Sequence, residues 1–147
     1  MTTPAAPTLL LVHRLTVRFR DCDPLGHVNN AVYFTYLEQA RFTLWRAQLG
    51  FVAKSGGSAG EGFILARAEC DFRSQARYGD ELDVRLSLDR VGRTSLTYGY
   101  DVVDAPTGRL VAHASTVIVR FDYALQKPVE ISPELRAQLA APVQPIA

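Results

Sequence analysis

The sequence predicts an α+β fold, in which a curved antiparallel sheet of five strands wraps around one long central helix. Three observations predict it: one strand pattern precedes a long apolar segment, four strand patterns follow that segment, and short turns join those four. Short turns connect antiparallel neighbours, whereas parallel strands need long crossover connections. One long helix covers one face of such a sheet, so we expect a second subunit to cover what is left exposed.

The first strand is predicted from a strict alternation. Leu15, Val17 and Phe19 share one face, and the residues between them are polar, which is typical of a half-buried strand. Residues 1–8 are small and Pro-rich and are predicted to form a flexible tail, which leaves residues 9–147 as a single domain.

The long helix is predicted over residues 31–49. Its apolar residues fall on nearly every face, and a helix that is apolar around most of its circumference is buried. Asn29 or Asn30 is predicted as the N-cap, because an Asn side chain accepts from the amides of the first turn. Gly50 suits the C-terminal end. The Gly-rich residues 54–62 are predicted to form a flexible loop.

Four strands are predicted after the helix, over residues 64–72, 82–88, 96–102 and 110–121. The first three alternate apolar and polar residues. The last is apolar on both faces, which indicates a strand inside the sheet. Ser132 and Pro133 are predicted to begin a short terminal helix.

Composition excludes several classes of protein. Hydrophobic residues make up 48% of the chain and charged residues 21%, as in a globular domain with a packed core. The net charge of +1 implies no strong attraction to nucleic acid or to a membrane surface. Two cysteines, Cys22 and Cys70, cannot build a disulfide scaffold or a zinc site. We expect no metal, no prosthetic cofactor and a cytoplasmic location.

The densest polar cluster lies between the first strand and the helix, at residues 21–30, and includes Asp21, Asp23 and His27. Backbone amides converge at a helix N-terminus, where the dipole is equivalent to about half a positive charge. Such a terminus binds an anion or polarises a carbonyl that becomes an oxyanion. A carboxylate beside it can attack that carbonyl or activate a water molecule. The alternative interpretation is a plain turn and helix cap, because the same residue types favour turns.

The run from Val17 to Arg41 resembles the opening of the hotdog-fold acyl-CoA thioesterases of the 4-hydroxybenzoyl-CoA thioesterase-like family. The family pattern is an Asp-x-Asp with a nearby Gly, followed by an aromatic-rich helix that carries Glu and Arg. The matching residues are Asp21, Asp23, Gly26, Tyr33, Phe34, Glu38 and Arg41. The His-Val-Asn-Asn form of residues 27–30 is similar to the branch that includes long-chain acyl-CoA and plant acyl-carrier-protein thioesterases.

The resemblance implies a hotdog fold and hydrolysis of an acyl-CoA thioester to the free acid and coenzyme A. The family's catalytic carboxylate corresponds to Asp23, and the backbone amide that polarises the thioester carbonyl corresponds to Asn30. Asp21 then only holds the loop. The family places its sites between subunits, which implies a homodimer or a homotetramer. The acyl group, and whether coenzyme A or acyl-carrier protein carries it, stay open.

Further substrate-binding candidates are His27, Asn29 and Tyr33. His27 is either an acid or base near the substrate or a partner in a hydrogen bond within the loop. Glu38 either pairs with Arg41 at i+3 or faces the site of a neighbouring subunit. A predicted turn carries four more candidates, Arg90, Arg93, Thr94 and Ser95. Arginine suits the phosphates of coenzyme A, although an arginine in a turn can also be merely solvated.

Two other functions stay open. The segment from Asp23 to His27 superficially resembles a hotdog hydratase signature, but Gly26 separates the Leu from the His. A hydratase or dehydratase of enoyl or hydroxyacyl thioesters is therefore an alternative. A non-catalytic acyl-binding oligomer is another, since a fold does not fix a function. The expected partners are an acyl-CoA and further copies of the chain, without nucleic acid or membrane.

Overall fold

The computed structural model describes residues 6–50 and 61–144. Its strands are β1 (Thr8–Thr16), β2 (Glu61–Phe72), β3 (Glu81–Val91), β4 (Ser95–Asp104), β5 (Leu110–Asp122) and β6 (Lys127–Pro128). Its helices are α1 (Asn30–Leu49) and α2 (Pro133–Leu139), and a short 3-10 helix spans Phe19–Asp21. The long strands form one antiparallel sheet in the order β1-β3-β4-β5-β2, and β6 pairs with β5.

The core lies between α1 and one face of the sheet. The ring of Trp45 on α1 stacks on Phe63 of β2 with 4.9 Å between centroids. The Trp45 Nε1 donates to the hydroxyl of Tyr98 on β4 over 2.9 Å. The inward residues of β4 are almost fully buried: Leu96, Tyr98, Tyr100 and Val102. The predicted architecture, one long helix on a five-stranded antiparallel sheet, is confirmed, and the two-residue β6 is an addition.

Both predicted ends of the long helix are confirmed. Asn29 is the N-cap, since its Oδ1 accepts from the N–H of Ala31 over 2.9 Å. Gly50 ends the helix in the left-handed conformation, with φ of 64°, and its N–H donates to the carbonyl of Arg46 over 3.0 Å. The terminal helix also begins where predicted, because Ser132 Oγ accepts from the N–H of Leu135 over 3.2 Å.

The predicted first strand is wrong in its position. β1 ends at Thr16, and Phe19 lies in the 3-10 helix with 79% of its surface exposed. The cause is Asp21, whose carboxylate accepts from the backbone N–H of Arg18 over 2.9 Å. That bond closes a turn and ends the alternation. The buried residues of β1 are Leu10 and Leu11, upstream of the predicted strand.

The simple alternation predicted for the strand over residues 64–72 is interrupted in β2. A bulge lies between Leu65 and Arg67 in the pairing with β5, and one extra residue exchanges the two faces of a strand. Phe63 therefore packs on the helix, whereas Ile64 is 39% exposed.

Two predicted flexible segments lie largely outside the described residues. The described part of the chain begins after the first five residues of the predicted tail, and Thr8 already belongs to β1. Residues 54–60 of the predicted loop lie outside the described residues, and Glu61 and Gly62 belong to β2.

Candidate active site

The Asp23 loop, residues 22–28 between β1 and α1, is closed by its own backbone. Cys22 and Val28 form an isolated antiparallel bridge. The N–H of Asp23 donates to the carbonyl of His27 over 3.1 Å, and the N–H of Gly26 donates to the carbonyl of Asp23 over 3.0 Å. Gly26 has a φ of 87°, which glycine adopts without strain. These bonds fix the backbone from which the Asp23 carboxylate projects.

Both oxygens of the Asp23 carboxylate accept a hydrogen bond from the protein. The N–H of Leu25 donates to Oδ1 over 2.9 Å, and Nδ2 of Asn29 donates to Oδ2 over 3.1 Å. Because Asn29 also caps α1, one side chain ties the carboxylate to the start of the helix. Asp23 is half-buried, and each oxygen keeps acceptor capacity for a water molecule or a substrate.

The Asp21 carboxylate, in contrast, is enclosed. Its Oδ2 accepts from the hydroxyl of Tyr36 over 2.8 Å and from the Arg18 N–H, and its Oδ1 accepts from the Arg18 guanidinium over 3.1 Å. Burial alone would raise the pKa of the Asp21 carboxyl, but these donors outweigh burial and hold that pKa below its usual value. Only 3% of Asp21 is exposed, so its geometry suits holding the loop and not contacting a substrate.

Asp23 opens into a cleft of about 400 Å³ between the Asp23 loop, the start of α1 and the end of β2. The residues that line it are Asp23, Leu25, His27, Val28, Asn30, Tyr33, Phe72, Arg73, Ser74 and Gln75. Small-molecule sites occupy about 300–1,000 Å³. The cleft thus brings together four of the residues that the sequence selected, and Asn29 adjoins them through Asp23.

Asn30 is the first residue of α1, so its N–H has no acceptor inside the helix. No other acceptor is present for it within residues 6–50 and 61–144. The helix dipole adds a partial positive charge at this end. A carbonyl oxygen that gains negative charge in the cleft would therefore be stabilised beside the Asp23 carboxylate.

Two side chains with rings, His27 and Tyr33, line the same cleft as Asp23 and Asn30. His27 Nδ1 lies 3.2 Å from the carbonyl oxygen of Val28; a carbonyl only accepts, so this hydrogen bond requires a proton on Nδ1. Tyr33 is buried, and burial together with the neighbouring Cys70 raises the pKa of Tyr33 to about 12. The Tyr33 hydroxyl therefore stays protonated at neutral pH.

The other predicted binding residues lie elsewhere. Glu38 lines a separate cavity farther along α1, and no ion pair joins it to Arg41 in the described part of the chain. The predicted turn is shorter than expected, because Arg90 belongs to β3 and Ser95 begins β4, which leaves Arg93 and Thr94 between the strands. This end of β3 lies roughly 30 Å from the Asp23 loop for a strand of this length. Within one subunit these residues do not meet Asp23.

Sequence reasoning missed the second wall of the cleft, formed by Phe72, Arg73, Ser74 and Gln75. The N–H of Val28 donates to the carbonyl of Ala76 over 2.8 Å, and this bond joins the wall to the Asp23 loop. No local pattern signals a contact between segments so far apart in sequence. Arg73 of this wall also forms an ion pair with Asp71 at 3.8 Å.

The described residues hold no cluster of three or more His, Cys, Asp or Glu side chains placed to bind a metal ion. No described helix has the length and apolar character needed to cross a membrane.

Comparison with known proteins connects this geometry to a family. Residues 17–139 match the thioesterase-like superfamily. The chain is 27% identical over 126 residues to the long-chain acyl-CoA thioesterase FadM of Escherichia coli, which covers 86% of this chain and 94% of that protein. It is 24% identical over 124 residues to the acyl-acyl carrier protein thioesterase ATL3 of Arabidopsis thaliana, covering 84% of this chain and 64% of that protein.

A solved structure gives the same result. The thioesterase of Thermus thermophilus, crystallised with coenzyme A and zinc, superposes with a TM-score of 0.74 and 31% identity. The match covers 87% of this chain and 90% of that one. The fold agrees with these matches, and the chain belongs to the thioesterase-like superfamily.

Proposed function

We propose that the protein hydrolyses acyl-coenzyme A thioesters in the cleft beside Asp23. Membership of the thioesterase-like superfamily makes it a thioester hydrolase. The observation that carries the finer proposal is the Asn29 side chain, which caps α1 and donates to Asp23. It holds a carboxylate next to the helix terminus that would polarise the thioester carbonyl.

Two chemical routes use this arrangement. In the first, an Asp23 oxygen attacks the carbonyl carbon, the C–S bond breaks, coenzyme A leaves as a thiolate, and water then hydrolyses the mixed anhydride. In the second, Asp23 takes a proton from a water molecule that attacks the carbonyl directly. In both, the N–H of Asn30 and the helix dipole stabilise the oxyanion, and the products are the free acid and coenzyme A. A single turnover in oxygen-18 water tests for the first route, because label enters the Asp23 carboxylate only if an anhydride forms and water opens it at the Asp23 carbonyl.

A panel of acyl-CoAs tests the proposal. Short, long and aromatic acyl chains are offered, and release of the coenzyme A thiol is followed with a thiol reagent. We expect release from at least one chain class, with the free acid formed in equal amount. Loss of the double bond of crotonyl-CoA without thiol release would indicate a hydratase instead. Silence across the whole panel would favour the non-catalytic acyl-binding alternative.

We further propose a homodimer formed through β2, or a tetramer built from such dimers. β2 is an edge strand of the sheet, and an open edge pairs readily with another strand. Large apolar side chains are exposed on β2 and on the neighbouring surface of α1: Phe34, Phe42, Ile64, Leu65 and Phe72. A patch of this kind on a chain of this size suits a subunit interface. The cytoplasmic location stays a prediction.

Such pairing would bring the phosphate candidates to the cleft. Ser95 pairs with Val119, and Val119 pairs with Ile64, so the β3–β4 turn lies at the Glu61 end of the sheet. Two antiparallel copies of β2 would set the Glu61 end of one beside the Phe72 end of the other. The turn with Arg93 of the partner subunit would then lie toward the cleft, which begins at Phe72.

We expect the combined substitution of Arg90 and Arg93 by Ala to raise KM for the best acyl-CoA about tenfold, with kcat unchanged. The reason is that a phosphate contact is made equally in the ground state and the transition state. The Arg93 side chain forms an exposed pair with Glu130 at 3.9 Å, and the backbone bonds are kept on substitution, so folding should be unaffected. Arg85→Ala, which removes an exposed arginine from the middle of β3, is the control. An unchanged KM in the double variant would show that these arginines do not bind the phosphates.

A further inference from the structure

Arg41 is a buried cation without a carboxylate partner in the described chain. Only 5% of it is exposed. Its Nη1 donates to the hydroxyl of Tyr100 over 3.2 Å, and its guanidinium lies 5.6 Å from the centre of the Trp45 ring. Its Nε is buried with no hydrogen-bond partner among the described residues. A hydroxyl and an aromatic face ease the burial of the charge, but they do not neutralise it.

Arg41 lines a small cavity, called here the Arg41 cavity, of about 130 Å³ between α1 and β2. Thr116 of β5 lines it from the sheet, and Leu65 and Ala68 line it from β2. Glu38, one helical turn before Arg41, lines the same cavity and is exposed. The carboxylate Glu38 and the buried cation Arg41 therefore lie in one small patch. Within the described residues they do not form an ion pair with each other.

This patch lies where two subunits would meet. The middle of β2 falls between Leu65 and Ala68. A two-fold axis that pairs β2 with its copy about this middle would pass beside the Arg41 cavity, which both residues line. Residues close to a two-fold axis contact the same region of the other copy. In such an interface, a patch that carries one acid and one base is complementary to itself.

We propose that Glu38 of the partner subunit neutralises Arg41, and that Glu38 of this chain does the same for the partner. This inference rests on the proposed dimer. Each interface then contains two equivalent ion pairs, and each Arg41 cavity is complete only when the second copy is present. A buried cation that must wait for its partner makes the isolated monomer the less stable form.

Two substitutions that change the net charge equally test the pair. Glu38→Gln removes the proposed partner, whereas Gln39→Arg adds a positive charge at the next position, which faces a different cavity on the β1 side of the helix. Sedimentation over a dilution series gives the dimer dissociation constant. We expect Glu38→Gln to raise it by at least about thirtyfold, since breaking a buried charge pair costs about 2 kcal/mol or more. Gln39→Arg should leave it near the wild-type value.

Mixing experiments separate a pair between subunits from a pair within one helix. Glu38→Arg chains carry two bases in the patch, and Arg41→Glu chains carry two acids. Each homodimer is repulsive, whereas the heterodimer restores both ion pairs. We expect co-expressed chains to form mostly heterodimers by native mass spectrometry, even if Arg41→Glu does not fold alone. A pair within one helix would give no such preference, because neither chain contains both partners.

These experiments use no substrate, so their outcomes do not depend on the proposed hydrolysis. They also distinguish the ion pair from the proposed dimer. A wild-type chain that stays monomeric at all concentrations overturns both the dimer and the pair. A stable dimer whose dissociation constant responds equally to Glu38→Gln and Gln39→Arg leaves the dimer standing and overturns the pair. If the co-expressed chains form heterodimers as only half of all dimers, as random association gives, the ion pair is also overturned and the dimer stands.

Discussion

At the scale of single residues, Asp21 and Asp23 are two positions apart, yet their carboxylates have opposite surroundings. Asp21 is enclosed by donors from Arg18 and Tyr36. Asp23 accepts two hydrogen bonds from the protein, but its carboxylate also borders the cleft. A fully enclosed carboxylate stabilises the fold, whereas one that keeps acceptor capacity beside a helix terminus can act on a substrate. The role of Asp21 is therefore tested by measuring stability, and the role of Asp23 by measuring activity.

Asp21→Asn should lower the free energy of unfolding by about 1–3 kcal/mol at neutral pH, because charge-assisted hydrogen bonds are lost. The pKa of Asp21 is lower in the folded state than in the unfolded state. Its contribution is therefore complete above the unfolded pKa of about 4 and is lost as the pH falls through the folded pKa. Urea unfolding of the wild type and of Asp21→Asn measures this. The difference between their free energies of unfolding should shrink as the pH falls through the acid range.

Asp23→Asn is the control for that experiment, since Asp23 is only half-buried and should lose little stability. A difference between wild type and Asp21→Asn that stays constant down to strongly acidic pH would contradict the assignment.

Asn29 has two functions that substitutions can separate. Asn29→Asp keeps an N-cap acceptor and places negative charge at the positive end of α1, so stability should stay near wild type. It also replaces the donor to Asp23 with a second carboxylate, and two adjacent carboxylates raise one pKa. We expect kcat at neutral pH to fall at least about tenfold and the acid limb of the pH–rate profile to move to higher pH.

Asn29→Ala loses both functions, so it should cost about 1 kcal/mol of stability in addition to activity. Thermal unfolding and pH–rate profiles measure the two effects. Wild-type kcat and an unshifted profile for Asn29→Asp would show that Asn29 only caps the helix.

At the scale of elements, the Asp23 loop depends on one left-handed glycine. Gly26 has a φ of 87°, and among the described residues other than its two chain neighbours no atom lies within 4 Å of the position that a Cβ would take. Gly79, which donates to the carbonyl of Val17 and does not line the cleft, has the same φ and the same open surroundings. Alanine at either position should cost about 1–2 kcal/mol through backbone strain alone.

The two glycines should differ in kinetics. Gly26→Ala shifts the turn that holds Asp23 and should lower kcat by at least about tenfold, whereas Gly79→Ala should keep the wild-type kcat. Thiol release at a temperature where both variants are folded measures this. Equal kcat values in the two variants would mean that the turn does not position the carboxylate.

At the scale of the whole molecule, the sequence predicted what local patterns determine. The caps at Asn29, Gly50 and Ser132 and the buried alternation of β3 and β4 depend on neighbours within a few residues. The early end of β1 was missed because Asp21 forms its contacts with Arg18 and Tyr36 only in the folded chain. The bulge after Leu65 was missed because Ala66 looks like any other alternating position.

The candidate site divides in the same way. Asp23, His27, Asn30 and Tyr33 were predicted together because they are close in sequence. The wall at Phe72–Gln75 depends on a bond between Val28 and Ala76, and the Arg41 cavity depends on packing between α1, β2 and β5. Contacts of that kind follow from the tertiary fold and have no signature in a short stretch of sequence.

The central claim is that the Asp23 carboxylate, held at the start of α1, performs the hydrolysis. The most direct measurement is steady-state release of coenzyme A by Asp23→Asn with the best acyl-CoA of the panel. The substitution is nearly isosteric, and it removes both the nucleophile and the general base. We expect kcat to fall by at least about a hundredfold with KM largely kept, while Asp21→Asn, assayed where it is folded, loses much less. A correctly folded Asp23→Asn protein with wild-type kcat would contradict the account.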